Sequence, residues 1–151
     1  MAISQAMCTS FKVELLNGIH AFSTTVARGN TNADSFKLAL YTSSASLGAG
    51  TTAYTTSNEV SGTGYTAAGE TLTSPAVALS STTAYIDFAN ATWSTSSFTA
   101  NGALIYRSDG SAPTNDAVCV IAFGGDYTST NGTFTIQFPA AAASTALLRL
   151  A

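Results

Sequence analysis

Alternating hydrophobic and polar residues are the clearest pattern in the chain, and they begin at SFKLALYTS (Ser35 to Ser43). Phe36, Leu38 and Leu40 fall on one face of this segment, and Lys37, Ala39 and Tyr41 fall on the other. A period of two residues is typical of a strand that is buried on one face. The sequence therefore predicts a half-buried strand here.

Further strand-like segments follow, each bounded by Gly, Pro, Asn, Asp or Ser: GETLT, TTAYIDFA, SFTANGALIYRS, DAVCVIAFGG, GTFTIQFP and STALLRLA. The continuous apolar run Ala117 to Phe123 predicts a central strand buried on both faces. Asp109-Gly110 and Asn131-Gly132 are turn dipeptides, because glycine tolerates positive φ. About seven to nine short strands at this spacing predict a mainly β fold, a β-sandwich or jelly-roll-like single domain spanning residues 1–151.

One helix is expected near the start, over about residues 9–20. Thr9 or Ser10 is placed to cap it, and Gly18 weakens its end. Its apolar positions recur at helical spacing and are Phe11, Leu15, Leu16, Ile19 and Phe22. We expect this helix to cover an edge or one open face of the β structure.

Charge is scarce. The chain has 151 residues, a net charge of −3 and 9% charged residues, against about 25% in an average soluble domain. Its five basic residues are scattered, which argues against nucleic acid and against an anionic membrane surface as partners. No apolar run is long enough for a transmembrane helix, and MAISQAMCTSFK lacks the features of a signal peptide, so we expect no Sec export. The surface should be rich in hydroxyl groups.

The glycine-rich segment NEVSGTGYTAAGETL (Asn58 to Leu72) suggests a phosphate-binding loop at first sight. A dinucleotide loop needs G-x-G-x-x-G directly after a strand and opening a helix. Here four residues separate Gly64 from Gly69, and the following segment, ETLTSPAVAL, has a strand-like pattern that is interrupted by Pro75. The sequence therefore favours a wide loop or a strand with bulges.

Other candidate chemistry is weak. His20 is the single histidine and could act as a base, but its place at the expected helix end gives it a structural role. Asp87 alternates with apolar residues, so it should point outward or pair with Arg107.

The loop Ser108 to Asp116 gathers oxygen ligands without the EF-hand spacing, which favours a solvated hairpin loop over a calcium site. Cys8 and Cys119 are either buried thiols or a long-range disulfide, and Trp93, Tyr65 and Tyr127 could form a sugar-binding platform if exposed.

The whole chain resembles a family of small β-rich structural proteins of tailed bacteriophage virions. The segments that carry the resemblance are CTSFKVELLNGIHAF, SFKLALYTSSASL, TTAYTTSNEVSGTGYTAAGETL, TTAYIDFANATWS, NGALIYRSDG, FGGDYTSTNGTFTIQFP and ALLRLA. The resemblance implies a non-enzymatic virion protein with no catalytic, cofactor or metal residues. It also implies other virion proteins as partners and assembly as a homo-oligomer. Capsid decoration is the first expectation, a neck, collar or tail component is the alternative, and a carbohydrate-binding adhesion module is a third.

The irregular segment Ala45 to Gly69 is longer than ordinary connections, so we expect it to make intermolecular contacts. Within it, the candidate contact loop comprises Asn58, Glu59, Val60, Ser61, Gly62, Thr63, Gly64 and Tyr65. The glycines of this loop are expected to serve backbone geometry.

Overall fold

Two antiparallel sheets and one short helix form the regular structure in a computed structural model, which describes residues 2–23, 33–109 and 114–151. The elements are β1 (Ala6–Met7), α1 (Thr9–Leu16), β2 (Phe36–Tyr41), β3 (Glu70–Thr71), β4 (Ala76–Ser80), β5 (Thr83–Asp87), β6 (Ala91–Arg107), β7 (Ala117–Ile136) and β8 (Leu148–Leu150). The larger sheet has the order β1-β7-β6-β2-β3, and the smaller sheet has the order β4-β5-β8. The prediction of a mainly β fold with one N-terminal helix is confirmed.

A long hairpin of β6 and β7 is the centre of the larger sheet. Its register runs from Ala91 opposite Ile136 to Tyr106 opposite Ala117. The segments DAVCVIAFGG and GTFTIQFP, predicted as separate strands, therefore belong to one strand of twenty residues. Ala117 to Val120 are buried, as expected for the apolar run, whereas Ile121 to Phe123 are partly exposed.

The predicted turn at Asn131-Gly132 is wrong, because these residues form a β-bulge within β7. Between the pairs Ser96–Gly132 and Phe98–Ser129, two residues of β7 lie opposite Ser97 alone. Asn131 takes the positive φ, +48°, and its N–H donates a 2.8 Å hydrogen bond to Ser97 Oγ. The positive φ thus belongs to Asn131 and not to Gly132, and it serves a bulge rather than a chain reversal. Gly110 of the other predicted turn lies outside the described residues.

Strand β2 is buried on both faces, which corrects the prediction of a half-buried strand. Ala39 and Tyr41, on the face expected to be outside, are each fully buried. The segment between β2 and β3 covers this face, since the Tyr41 hydroxyl donates to the Thr55 carbonyl oxygen at 2.6 Å.

The helix ends at Leu16 rather than near His20. Gly18 has φ +70°, its N–H donates to the Leu15 carbonyl, and the Ile19 N–H donates to the Glu14 carbonyl. These two bonds are the Schellman motif, which terminates a helix at a residue in the left-handed region. The cap position at the other end is Cys8, without a side-chain cap hydrogen bond, so Thr9 and Ser10 lie inside the helix.

Aromatic rings join the helix, the chain after it and both sheets into one core. Phe22 stacks on Phe36 of β2 with ring centroids 4.4 Å apart, and Phe88, just after β5, lies 5.7 Å from Phe36. Phe11 packs edge-on to Phe22 at 6.0 Å. Leu16 is 88% exposed, although its spacing placed it on the apolar face of the helix.

Candidate functional site

The candidate contact loop, residues 58–65, is hydrogen-bonded to strands β2 and β6 of the larger sheet. The Val60 N–H donates to the Leu40 carbonyl at 2.9 Å, beside β2. Further along the loop, the Ser97 N–H of β6 donates to the Thr63 carbonyl, also at 2.9 Å. The loop thus continues the sheet irregularly across two strands, as the expected strand with bulges would.

The carboxylate of Glu59 organises this loop from within. Its Oε2 accepts a 2.6 Å hydrogen bond from the Tyr54 hydroxyl. Its Oε1 accepts 2.7 Å bonds from the Tyr65 hydroxyl and from the Ala68 N–H. The Tyr65 oxygen in turn accepts the Leu40 N–H at 3.0 Å, which connects the carboxylate to β2. A carboxylate that accepts several directed bonds holds its neighbours in one geometry, because charge-assisted hydrogen bonds are the stronger kind.

The tyrosines around Glu59 are held in their protonated, donating form. Burial raises the pKa of Tyr65 and of Tyr54, and the hydrogen bond from each hydroxyl to Glu59 raises it further. Burial also raises the pKa of Tyr106 to about 12, with a smaller contribution from the charge of Glu59. The Tyr106 hydroxyl donates to the Ala68 carbonyl at 2.7 Å, so it fixes the far end of the same segment.

Glycine allows the loop to approach β6 closely. Gly64 has φ +78°, and a Cβ atom there would lie 2.9 Å from both the Thr95 carbonyl oxygen and the Ser96 Cα. Gly62 is similarly close to the Ser97 carbonyl. The segment leads into the short strands β3 and β4, not into a helix, so these glycines serve backbone geometry as expected.

The outer surface of the loop is small and uncharged. Val60 is buried, and Glu59 and Tyr65 are half-buried with their polar atoms directed inward. The exposed members are Asn58, Ser61, Gly62, Thr63 and Gly64. The chemistry that the loop can offer to a partner is therefore close packing and neutral hydrogen bonding.

His20 lies in the interior beyond the helix end. Its Nε2 is 2.8 Å from Glu14 Oε2 and 3.9 Å from Asp116 Oδ2, and its ring packs edge-on to Phe11 at 4.9 Å. Its Nδ1 has no hydrogen-bond partner among the described residues. His20 and Ser23 line the same apolar cleft of about 290 Å³.

The ligand atoms of Glu14, His20 and Asp116 lie within 4.8 Å of one another, so these residues could approach a metal ion together. Asp116 Oδ2, however, already accepts a 2.8 Å hydrogen bond from Arg107 Nε. A guanidinium bound to the same carboxylate oxygen supplies the positive charge that a cation would otherwise bring. The arrangement is best described as an ion-pair network.

Arg107 binds both carboxylates of the loop considered for calcium. Asp109 lies 3.2 Å from its Nη1 and Asp116 lies 2.8 Å from its Nε, while Asp34 is 3.9 Å away. Burial raises the pKa of the Asp34 carboxyl, and neighbouring Asp109 raises it further. Residues 110–113 of that loop lie outside the described ranges.

Asp87 contradicts its expectation, because it neither points outward nor pairs with Arg107. Its side chain is buried and accepts the N–H of Phe88 at 2.9 Å. Burial raises the pKa of this carboxyl. Arg107 pairs instead with Asp109 and Asp116.

Two of the three aromatic residues proposed as a sugar platform are internal. Trp93 is 3% exposed, and Tyr65 packs against Trp93 and Phe98 at 6.2 and 5.7 Å. Tyr127 alone is an exposed ring, at 57%, and it lies in a different place. There it lines an open groove of about 440 Å³ with Phe123, Phe134 and several threonines.

The cysteines are both buried and free. Burial raises the pKa of the Cys8 thiol to about 11 and also raises that of Cys119. A raised pKa keeps a thiol protonated and unreactive, which agrees with the interpretation as small buried hydrophobes.

The sequence analysis included Glu59 and Tyr65 in the candidate contact loop, but it left out Tyr54 and did not predict that the three side chains meet. Tyr54, Glu59 and Tyr65 meet although they are separated by five and six positions, a spacing that matches no helix or strand period. Only the clustering of tyrosines around one carboxylate in an otherwise uncharged segment could have indicated the contact.

Comparison of the chain with protein-family models, with curated proteins and with solved structures finds no match. Among the described residues, no helix has the length and apolar character needed to cross a membrane.

Proposed function

We propose that this chain is a non-enzymatic structural protein of a tailed bacteriophage virion, and that it decorates the capsid by bridging neighbouring major capsid subunits. The observation that carries the proposal is the candidate contact loop, which is fixed internally through Glu59 yet exposes only uncharged, small residues. The resemblance of the whole chain to virion structural proteins supports the same assignment.

The small, uncharged exposed residues of this loop and its ordered backbone favour permanent attachment to the lattice of capsid subunits. Ser, Thr, Asn and Gly lose little side-chain entropy on being ordered at an interface. Because the exposed residues carry no charge, covering them incurs no desolvation of an ion. A loop that is already ordered also avoids the entropic cost of folding on binding.

Glu59, Arg107 and His20 are residue types that enzymes use, but their contacts support a structural role. Glu59 accepts three hydrogen bonds from its own segment, and Arg107 bridges carboxylates from three parts of the chain. His20 is enclosed by Glu14 and the ring of Phe11. Each of these groups stabilises the fold through contacts within the chain.

Cryo-electron microscopy of intact particles that carry this chain tests the proposal. We expect its density to repeat across the head shell, with residues 58–65 against capsid subunits. Density confined to the neck, collar or tail would overturn decoration while keeping the structural assignment. Absence of the chain from the particle would overturn the proposed function as a whole.

A pair of variants tests the loop itself. Thr63→Arg places a long charged side chain on the exposed loop, and Thr92→Arg makes the same change at an exposed position of β6. We expect the purified Thr63→Arg protein to lose binding to particles stripped of this chain, with Thr92→Arg binding as the parent does. Equal binding by both variants would remove the loop from the interface.

A carbohydrate-binding adhesion module is the second candidate, favoured by the groove at Tyr127. Stacking aromatic rings beside hydroxyl groups is the arrangement that sugar recognition uses, and Phe123 and Tyr127 lie edge to face at 6.1 Å. Titration calorimetry with oligosaccharides from the host surface should then show binding that Tyr127→Ala abolishes. No heat with any such oligosaccharide would dismiss this candidate.

A further inference from the structure

The two sheets have four edge strands in the described part of the chain, and they differ in how they are protected. β1 and β3 each have two residues, and β8 has three. β3 carries Glu70 and β8 carries Arg149, and short or charged edges are the usual means by which proteins prevent further strand pairing. β4, at the edge of the smaller sheet, has five residues and no charge.

β4 is also the most exposed of the longer strands. Four of its five residues are exposed, and the fifth, Ala78, is half-buried. Val77 is 50% exposed and Leu79 is 71% exposed. Among the described residues, therefore, no other strand and no loop covers the free edge of β4.

The exposed leucine and valine belong to a continuous apolar face. In the register of the smaller sheet, Leu79 lies opposite Ala84, which lies opposite Leu150. The next row is Val77, Ile86 and Leu148. All of these residues except Leu79 line the apolar cleft of about 290 Å³ beside α1, and both rows end at the free edge of β4.

Symmetry gives this edge a natural partner in a second copy of the chain. In a two-fold interface every residue near the axis meets its own counterpart, so charge at the axis is repulsive. No charged residue lies between Glu70 and Asp87 in the sequence, and β4 is in the middle of that interval. A second β4 can therefore approach without opposing like charges.

We propose that two copies of the chain pair their β4 strands antiparallel across a two-fold axis at Ala78. This register sets Val77 opposite the second copy's Leu79 and Ala76 opposite its Ser80. Side chains of directly paired residues share a face, so the apolar rows of the two smaller sheets become continuous. The three-stranded sheets join into one of six strands, and the unpaired backbone N–H and C=O groups of both edges are satisfied.

This inference deepens the proposed function, because it rests on the expected homo-oligomer and names the surface that joins its copies. Its test uses the purified full chain in solution, so that its outcome does not depend on where the protein sits in a particle. A chain that dimerises through β4 but is absent from virions would leave this inference standing and overturn the proposed function.

Cross-linking of single cysteine variants tests the register of the proposed β4–β4 pairing. With a short bis-maleimide, Ala78→Cys should give a covalent dimer in high yield, because the axis places position 78 opposite itself. Ala76→Cys and Ser80→Cys should each cross-link poorly alone and efficiently when the two proteins are mixed. The native cysteines are buried, so the parent chain is the background control. Cross-linking of all three variants without this pattern would contradict the two-fold register.

Sedimentation equilibrium up to about 1 mM chain detects even weak pairing. The parent should form a dimer, and Ala78→Lys should weaken it by about tenfold or more because two like charges then lie directly opposite. Ala78→Thr, with a neutral β-branched side chain, should dimerise as the parent does, and urea unfolding confirms that both variants fold. A parent that stays monomeric, one that forms only undefined aggregates, or a dimer that Ala78→Lys leaves unchanged would overturn the proposal.

Discussion

At the scale of single residues, Glu59 connects more of the candidate contact loop than any other side chain described above. Glu59→Gln keeps the size of the side chain but replaces one acceptor oxygen with an NH₂ group. If the NH₂ group replaces Oε2, the Tyr54 hydroxyl loses its acceptor; if it replaces Oε1, the Tyr65 hydroxyl and the Ala68 N–H both lose theirs. We expect the free energy of unfolding, measured with urea, to fall by about 1–3 kcal/mol, the cost of leaving such a group unsatisfied.

Glu70→Gln is the matched control, since it makes the same change at an exposed position of β3. Surface substitutions of this kind usually change stability by less than about 0.5 kcal/mol. If the two variants lose the same free energy of unfolding, the carboxylate of Glu59 does not organise the loop.

Gly64 offers a second test at the residue scale, because the chain contains glycines that separate its two constraints. Gly64 combines φ +78° with a tight approach to β6, whereas Gly124 has φ +81° and open space around the Cβ position. Gly50 has neither constraint. Substitution by alanine should therefore destabilise in the order Gly64, Gly124, Gly50. We expect a loss above about 2 kcal/mol for the first, about 1 kcal/mol for the second and almost none for the third.

Thermal and urea unfolding of the three alanine variants gives this order directly. A Gly64→Ala variant no less stable than Gly124→Ala would mean that the loop can move away from Thr95 and Ser96, and that its close packing on β6 contributes little.

At the scale of elements, α1 stabilises the fold through one face only. Phe11 is 1% exposed and packs on Phe22 and His20, whereas Leu16 on the same helix is 88% exposed. Phe11→Ala should cost about 3–5 kcal/mol, the usual range for removing a buried phenylalanine. Leu16→Ala should cost less than about 0.5 kcal/mol. Similar losses for both, by urea unfolding, would mean that Leu16 is covered in solution.

The helix and the hairpin show what sequence can and cannot predict here. Periodicity identified the strands, since β2, β5 and β8 lie within predicted segments, and it identified a helix beginning near Thr9. It could not decide that Gly18 would end the helix, or that Asn131 would form a bulge, because both depend on which backbone groups pair. Similarly, Tyr41 was expected outside, because nothing in its own strand shows that residues 45–69 fold back over it.

The candidate loop was located by composition, but its chemistry was not. Its glycines and its lack of charge were visible in the sequence, and Gly62 and Gly64 do lie where a Cβ atom would meet the backbone of β6. The contacts of Glu59 with Tyr54 and Tyr65 required the tertiary fold. Likewise, the sequence brought Asp109 and Asp116 together in one loop, but the approach of Arg107 to Asp34, far earlier in the chain, required the tertiary fold.

At the scale of the whole molecule, the surface is even less charged than the composition suggests. Five of the eight carboxylates are buried or half-buried, namely Glu14, Asp34, Glu59, Asp87 and Asp116. Arg107, one of five basic residues, is buried as well. In the described part of the chain, the fold therefore uses most of its carboxylates internally and leaves few charges on the surface. Such a surface favours close packing against other protein rather than electrostatic steering.

The same internal use of polar groups predicts how the whole fold responds to alkali. Tyr41, Tyr54, Tyr65 and Tyr106 all have a pKa raised by burial above the ordinary value of 10.0. Between pH 10 and the higher folded pKa, the unfolded chain has lost protons that the folded chain retains. The stability that these tyrosines contribute is therefore complete below pH 10 and falls as the pH rises, by up to about 1.4 kcal/mol per pH unit for each tyrosine.

Urea unfolding between pH 8 and pH 12 should accordingly show a decline in stability that begins near pH 9, because burial also raises the pKa of the Cys8 and Cys119 thiols above the ordinary value of 9.0. The decline should become steeper above pH 10, where the tyrosines add to it. Tyrosinate absorbance from these four residues should rise together with the loss of structure, since their hydroxyls ionise readily only after unfolding. Tyr106→Phe removes one of the four groups, so the decline should become shallower by about one proton. A decline of unchanged slope in Tyr106→Phe would mean that this hydroxyl reaches solvent in the folded protein, contrary to its 2% exposure and its bond to the Ala68 carbonyl.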